Sequence, residues 1–213
     1  MTDAPDTELP PAHTVLIPLF VIQFFAWSGM FILWINAYPL VSHFILHAPP
    51  GDEVAGRQGL IVVSLCFSSY ALAAACMAFA LPGCVARWGE GLVLGVALLF
   101  GAGGLTALGL IDRWLWLAPA FAAIAVGWCA LSNLPYAIAG GAVHWTRIGG
   151  ILRIFGFSSV IPQVAVSLGL ALFGASLFGS ATQSIMLTGG AAMGVGAVLA
   201  LVFSHRITVK PQT

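Results

Sequence analysis

The chain has 213 residues, 60% hydrophobic and only 7% charged, with seven basic residues against seven acidic. A soluble domain carries about 25% charged residues, so this chain lacks the polar surface needed to face water. The composition excludes a soluble globular enzyme, a nucleic-acid binder and a disordered tail, and leaves an integral membrane protein with little mass outside the bilayer.

The N-terminal tail, residues 1–14, opens with Asp3, Asp6 and Glu8 and no basic residue, the wrong sign for the start of a signal peptide. Six runs of about 20 or more mostly apolar residues follow, each long enough to span a bilayer as a helix. They cover roughly Val15 to Val41, Gly59 to Leu81, Gly91 to Ile111, Trp114 to Ala139, Ile151 to Phe173 and Ser184 to Phe203. The expected fold class is therefore an all-α membrane protein with one six-helix domain, residues 15–203, and a short C-terminal tail, residues 204–213.

In the first run Gln23, Trp27, Trp34 and Tyr38 recur at i, i+4, i+11 and i+15. At about 100° per residue they fall within about 60° of one another. Flat ring faces beside an amide suit a neutral polyol or sugar in a wet cavity. The alternative is the interfacial belt of Trp and Tyr, which fits Tyr38 near one end best. Pro39 is expected to end or kink this helix, and Asn36 to answer the backbone groups that the proline frees.

Between the first two runs, His43 to Gln58 reads as a longer outward excursion containing Pro49, Pro50, Gly51, Asp52 and Glu53. His43 and His47, at i and i+4, offer two imidazoles to a metal, but no third ligand has a fixed spacing, and an exposed helix end is the better reading. No metal site is assigned. Cys66, Cys76, Cys84 and Cys129 form no CxxC pair and read as small buried hydrophobes.

The third run carries Gly91, Gly95, Gly101, Gly103, Gly104 and Gly109, and the sixth carries Gly189, Gly190, Gly194 and Gly196. Gly91–Gly95 and Gly190–Gly194 have the spacing that lets helix backbones approach closely, within one chain or against a second copy.

The fourth run holds Trp128, Ser132, Asn133, Pro135 and Tyr136. Asn133-Leu134-Pro135-Tyr136 is similar in composition to Asn36-Ala37-Tyr38-Pro39, and each lies in the first span of a three-span set. Proline-broken spans in corresponding places of inverted repeats point to a transport pathway, so these two segments are expected to flank opposite gates. Chance prolines would leave the same pattern. In the fifth run Arg153, Gly156, Ser159, Gln163 and Ser167 share a face, with Pro162 near mid-membrane. Gln163 is the candidate midplane contact, for a solute or for a neighbouring helix. Arg153 is expected to snorkel to the membrane surface.

With six spans both ends share one side. That side holds Arg87, Arg147, Arg153, Arg206 and Lys210 against Arg57 and Arg113 on the other. The excess predicts both termini in the cytoplasm. No Asp or Glu lies within a span, so the usual carboxylate of a proton or cation coupling site is missing. No catalytic set and no cofactor motif is evident, so no enzyme is expected.

The stretch from Gln23 to Ile35, followed by Tyr38 and Pro39, resembles the seventh helix of sucrose-type and glycoside–pentoside–hexuronide:cation symporters of the major facilitator superfamily. Gly127 to Ala142 is similar to their tenth helix, and Phe155-Gly156-Phe157 through Ile161-Pro162-Gln163 to their eleventh. The resemblance implies a carboxyl-terminal half: six helices, as 3+3 inverted repeats, of a fold that normally has twelve. It implies a plasma (inner) membrane sugar transporter that rocks against a second six-helix unit, either another copy or a separate amino-terminal half.

Gln23, Trp27, Trp34, Tyr38, Asn133, Tyr136 and Gln163 would line its cavity, and Asn36, Pro39, Pro135 and Pro162 its hinges. In the loop after the second span, Arg87 and Gly89 match the family's gating motif. Ala86 stands where the family has an acid, Glu90 and Gly91 replace two basic residues, and Gly83 is one place out of register. The coupling charges of that family lie largely in the other half. A non-transporting scaffold or degenerate remnant is the alternative from a different class.

Overall fold

The computed structural model describes residues 12–47, 49, 52–142, 148–178 and 182–207. Arg147, Lys210, Pro50 and Gly51, and most of the two tails, lie outside the described residues. Six helices are long and apolar enough to cross a membrane. They are α1 (Ala12–Pro39), α2 (Glu53–Trp88), α3 (Glu90–Leu110), α4 (Leu117–Gly141), α5 (Ile148–Phe178) and α6 (Thr182–Val202), followed by a single turn, α7 (Ser204–Ile207).

Pro39 ends the α-helix as expected, but the coil runs past the expected end of the span at Val41: it widens into a π-helical segment, Leu40–Ile45, closed by a bond of 3.0 Å from Leu46 N–H to the Val41 carbonyl. Proline lacks the N–H that would bond the Ile35 carbonyl and continue the ladder, and inside the π segment the Ser42 hydroxyl donates to the Tyr38 carbonyl at 2.7 Å. The predicted excursion is also much shorter. His43 lies in the π segment, and Arg57 and Gln58 lie inside α2. The Asp52 carboxylate caps that helix, accepting from Val54 N–H at 2.9 Å and Ala55 N–H at 3.1 Å. Hydropathy marks where the hydrocarbon begins, whereas a cap marks where the helix begins. The resulting α2 has 36 residues, about 54 Å at 1.5 Å per residue.

Packing radiates from α3 and α6. These two lie side by side; α4 packs on the other side of α3, and α1 on the other side of α6. α2 leans mainly on α4 and α5 mainly on α1. Exchanging α1, α2 and α3 for α4, α5 and α6 maps this pattern onto itself.

Glycine makes the central contacts possible. A Cβ on Gly29 would sit 2.6 Å from the Gly189 carbonyl, and one on Gly104 would sit 2.6 Å from the Ala120 carbonyl. Gly101 and Gly127 face each other across α3 and α4, and Gly190 lies against the Thr106 hydroxyl. Gly91 and Gly95 lie against Ser204 and Leu201, so their spacing serves contacts within this chain. Around them Leu94, Leu98, Leu105, Leu108, Ile124 and Met193 are fully buried.

Neighbouring glycines give a sharp test. A Cβ on Gly103 meets nothing within 4 Å, unlike one on Gly104. Gly104→Ala should destabilise the protein by about 1–3 kcal/mol through overpacking against backbone. Gly103→Ala should be neutral or stabilising by up to about 1 kcal/mol through helix propensity. Unfolding midpoints in mixed micelles titrated with SDS would separate the two, and equal midpoints would contradict the packing described.

Candidate functional site

The polar face of α1 changes character along its length. Gln23 is fully buried and Trp27 nearly so, while Trp34 and Tyr38 are 39% and 37% exposed. The ring centroids of Trp27 and Trp34 are 6.0 Å apart, and Phe31 approaches Trp34 at 6.4 Å. Tyr38 lies over α2, its hydroxyl within 3.5 Å of where a Gly56 Cβ would sit. Its ring meets His43 edge-on at 6.4 Å.

Gln23 points into the seam with α5. The Ser158 hydroxyl donates to its Oε1, and also lies 2.6 Å from the Phe155 carbonyl. One hydroxyl has one proton and cannot donate twice. Turning the amide by 180° resolves this: Gln23 Nε2 donates to Ser158 Oγ, whose proton goes to the Phe155 carbonyl. Either way one end of the amide keeps unused hydrogen-bonding capacity. Phe155, one turn before Ser158, is fully buried and meets Phe20 of α1 at 4.9 Å and Tyr136 of α4 at 5.5 Å. Gln23 and Tyr136 thus converge on one layer of α5. A cavity of about 310 Å³ opens beside it, lined by Phe20, Val21, Phe24, Ser158 and Ile161.

The two asparagines behave alike. Asn36 Nδ2 donates to the Ile32 carbonyl at 2.9 Å, and Asn133 Nδ2 to the Cys129 carbonyl at 2.7 Å. Each bonds back one turn on its own helix. Asn36 therefore does not reach the Ile35 carbonyl, the group one turn before Pro39. Asn133 is exposed on α4, and Pro135 and Pro162 are both buried in helices that run through them. Gln163 is half-buried one residue past Pro162. The structure thus brings Gln23 and Tyr136 to one layer and Trp27 and Trp34 into ring contact. It places Tyr38 and Gln163 elsewhere.

Two partners were not singled out from the sequence. Ser158 is one, visible only as a polar residue one turn from Phe155. Tyr70 of α2 is the other, a lone phenol in an apolar run. It is buried, its ring meets Trp128 at a tilt at 5.6 Å and Phe67 edge-on at 5.9 Å, and its hydroxyl has no partner among the described residues. The Ser132 hydroxyl, one turn beyond Trp128 on α4, is likewise buried and without a partner. The Ser69 hydroxyl, beside Tyr70, lies 2.7 Å from the Cys66 carbonyl of its own helix and 3.1 Å from the Ala118 carbonyl of α4, and its one proton serves one of them at a time.

His43 and His47 do not share a helix face: the π segment ends at Ile45 and His47 has a φ of 52°. Among the described residues no three His, Cys, Asp or Glu side chains group as a metal site. At the corner between α2 and α3, Gly89 has φ 81° and ψ 155°, a region open essentially to glycine alone. Arg87, two residues earlier, lies 5.5 Å over the Trp88 ring.

No protein-family model matches the chain, and no curated protein does.

Ser158→Ala should destabilise the protein by about 1 kcal/mol, and Gln23→Leu with Ser158→Ala together by less than the sum of the two single changes. Additive losses in SDS unfolding would show that the pair is not coupled. Gly89→Ala should lower stability by about 1–3 kcal/mol through backbone strain, checked by the same titration.

Proposed function

We propose that the chain is one half of a major facilitator-type transporter for a sugar or similar polyhydroxylated solute. It works by alternating access with a second six-helix unit, a second copy or a separate amino-terminal half. The three-helix sets α1–α3 and α4–α6 form inverted repeats, because an odd number of spans reverses the direction of the second set. Both chain ends face the cytoplasm of the plasma (inner) membrane, in keeping with the excess of Arg and Lys on that side.

The observation that carries this reading is the uneven burial of the helices. In α2 and α5 only 17% of the apolar stretch is buried, against 39–61% in the other four. Their open faces form continuous apolar stripes. Phe157, Ile161, Val164, Leu168 and Leu172 line one side of α5, and Ile61, Leu65, Leu72 and Phe79 one side of α2. A second unit seated on α2 and α5 would roof the exposed Trp34, Tyr38 and Asn133 and turn an open face into a cavity. Rings would stack on the C–H faces of a sugar, while Asn133, Tyr136, Gln163 and the free end of the Gln23 amide would meet its hydroxyls. Asn36, Pro39, Pro135 and Pro162 would be the points where the helices bend, and Arg87 and Gly89 the corner of the cytoplasmic gate.

A second reading is a membrane scaffold that does not transport. It is favoured by the lack of any Asp or Glu in the interior of the described spans, Glu53 and Glu90 standing only at the first residues of α2 and α3, since coupling to an ion gradient normally uses one.

Native mass spectrometry from nanodiscs should find a dimer or a complex with another six-helix protein. That complex should bind sugar, and Trp34→Ala and Gln163→Ala should weaken binding about tenfold or more while inserting normally, as expected for losing a ring contact or a buried hydrogen bond. A monomer at every concentration would overturn the half-transporter reading. Unchanged uptake in both variants would overturn the site.

A further inference from the structure

Two apolar grooves run end to end along the outer side of α3 and meet at Phe100. One, of about 370 Å³, lies between α2 and α3, with Cys84, Trp88 and Val96 among its walls. The other, of about 540 Å³, continues between α3 and α4 past Gly103 to Trp116. From Leu92 to Ile111 the two grooves cover 19 residues of rise, about 28 Å, close to the hydrocarbon thickness of about 30 Å. Each groove therefore has the depth of one leaflet, the reach of one acyl chain. Each ends at a half-exposed tryptophan, Trp88 at 55% and Trp116 at 62%, the residue type that sits at headgroup level.

Both ends carry an exposed arginine, Arg87 by Trp88 and Arg113 by Trp116. At the α2–α3 end the Arg87 guanidinium lies 5.5 Å over the Trp88 ring. It is exposed. A guanidinium fixed by an indole at the mouth of an apolar groove presents a planar fork of donors to a phosphate diester. We infer that this groove holds one acyl chain of a glycerophospholipid, with its phosphate on Arg87. The occupant is a lipid rather than another helix because the groove is one leaflet deep and carries its cation at the headgroup end. Trp88 does double duty: its ring walls the groove for the chain and carries the cation for the head.

The test uses the full chain, purified in mild detergent from membranes of phosphatidylglycerol and phosphatidylethanolamine. Native mass spectrometry should find one retained phospholipid. Arg87→Gln should lower the retained fraction about tenfold, the loss of a charge-assisted hydrogen bond, and Arg87→Lys should lower it less. Val96→Trp, which fills the groove without touching the head site, should expel the lipid as well. Cys84 supplies a second readout. In a Cys76→Ser background, added phosphatidylglycerol should slow maleimide labelling of Cys84 in the otherwise unchanged protein but not in Arg87→Gln. Retention that is unchanged in both Arg87→Gln and Val96→Trp would overturn the assignment. So would protection of Cys84 in lipid-free detergent together with its cross-linking to a second copy, which would make the groove a protein interface.

Discussion

The structure rests on the close approach of helix backbones at glycine. In a bilayer, apolar side chains gain little by leaving lipid for protein, so packing and hydrogen bonding decide which helices adhere. Gly29 against Gly189 brings α1 onto α6, Gly101 against Gly127 and Gly104 against Ala120 bring α3 onto α4, and Gly190 against Thr106 brings α6 onto α3. These contacts join α1, α6, α3 and α4 into one packed block. α5 is as rich in glycine, yet a Cβ on Gly149, Gly150, Gly156 or Gly169 meets nothing within 4 Å. The same residue type is used for packing at the centre and left bare at the edge. That contrast supports a further unit against α5 more directly than its hydropathy does, since any spanning helix is apolar.

Polar groups follow a second constraint. Without water, each needs a partner within the protein, and most find one on their own helix. Ser28 and Ser42 donate to carbonyls four residues back, as do Asn36 and Asn133. Such groups are already satisfied and add little to helix association. The informative ones are those whose capacity is left over: the free end of the Gln23 amide and the hydroxyls of Tyr70 and Ser132. They lie on the two seams, α1 with α5 and α2 with α4, that correspond under exchange of the three-helix sets. A hydrogen-bonding solute or a bridging water would satisfy them at a site where lipid cannot.

The spans were legible in the sequence because hydrocarbon thickness sets a minimum length for an apolar run. Their ends were less so. Asp52 starts α2 well outside the apolar stretch, and Pro39 converts the end of α1 into a π segment. Helical spacing placed Gln23, Trp27, Trp34 and Tyr38 on one face correctly as an angle. It did not show that the face is buried under α5 at Gln23 and open at Trp34, because an angle carries no information about neighbours. His43 and His47 stand at an exposed helix end, as read from the sequence, since both are exposed and the helical segment ends between them at Ile45. Tyr70 and Ser158 escaped notice because a single hydroxyl in an apolar run becomes informative only when the opposite helix is known.

The arrangement also separates what holds the block together from what is free to move. α2 and α5 each lean mainly on one neighbour, through aromatic seams rather than glycine contacts: Phe67 and Tyr70 against Phe121 and Trp128, and Phe155 against Phe20 and Tyr136. Rings at 5–6 Å can slide where interlocked backbones cannot, since no carbonyl blocks their path. Relative motion within this chain is therefore expected at these two seams, next to the unsatisfied polar groups, while α3 and α6 stay fixed to each other. A solute bridging Gln23 and Ser158, or Tyr70 and Ser132, would bind at the surfaces that shift. Occupancy and helix position would then be coupled through the same hydrogen bonds.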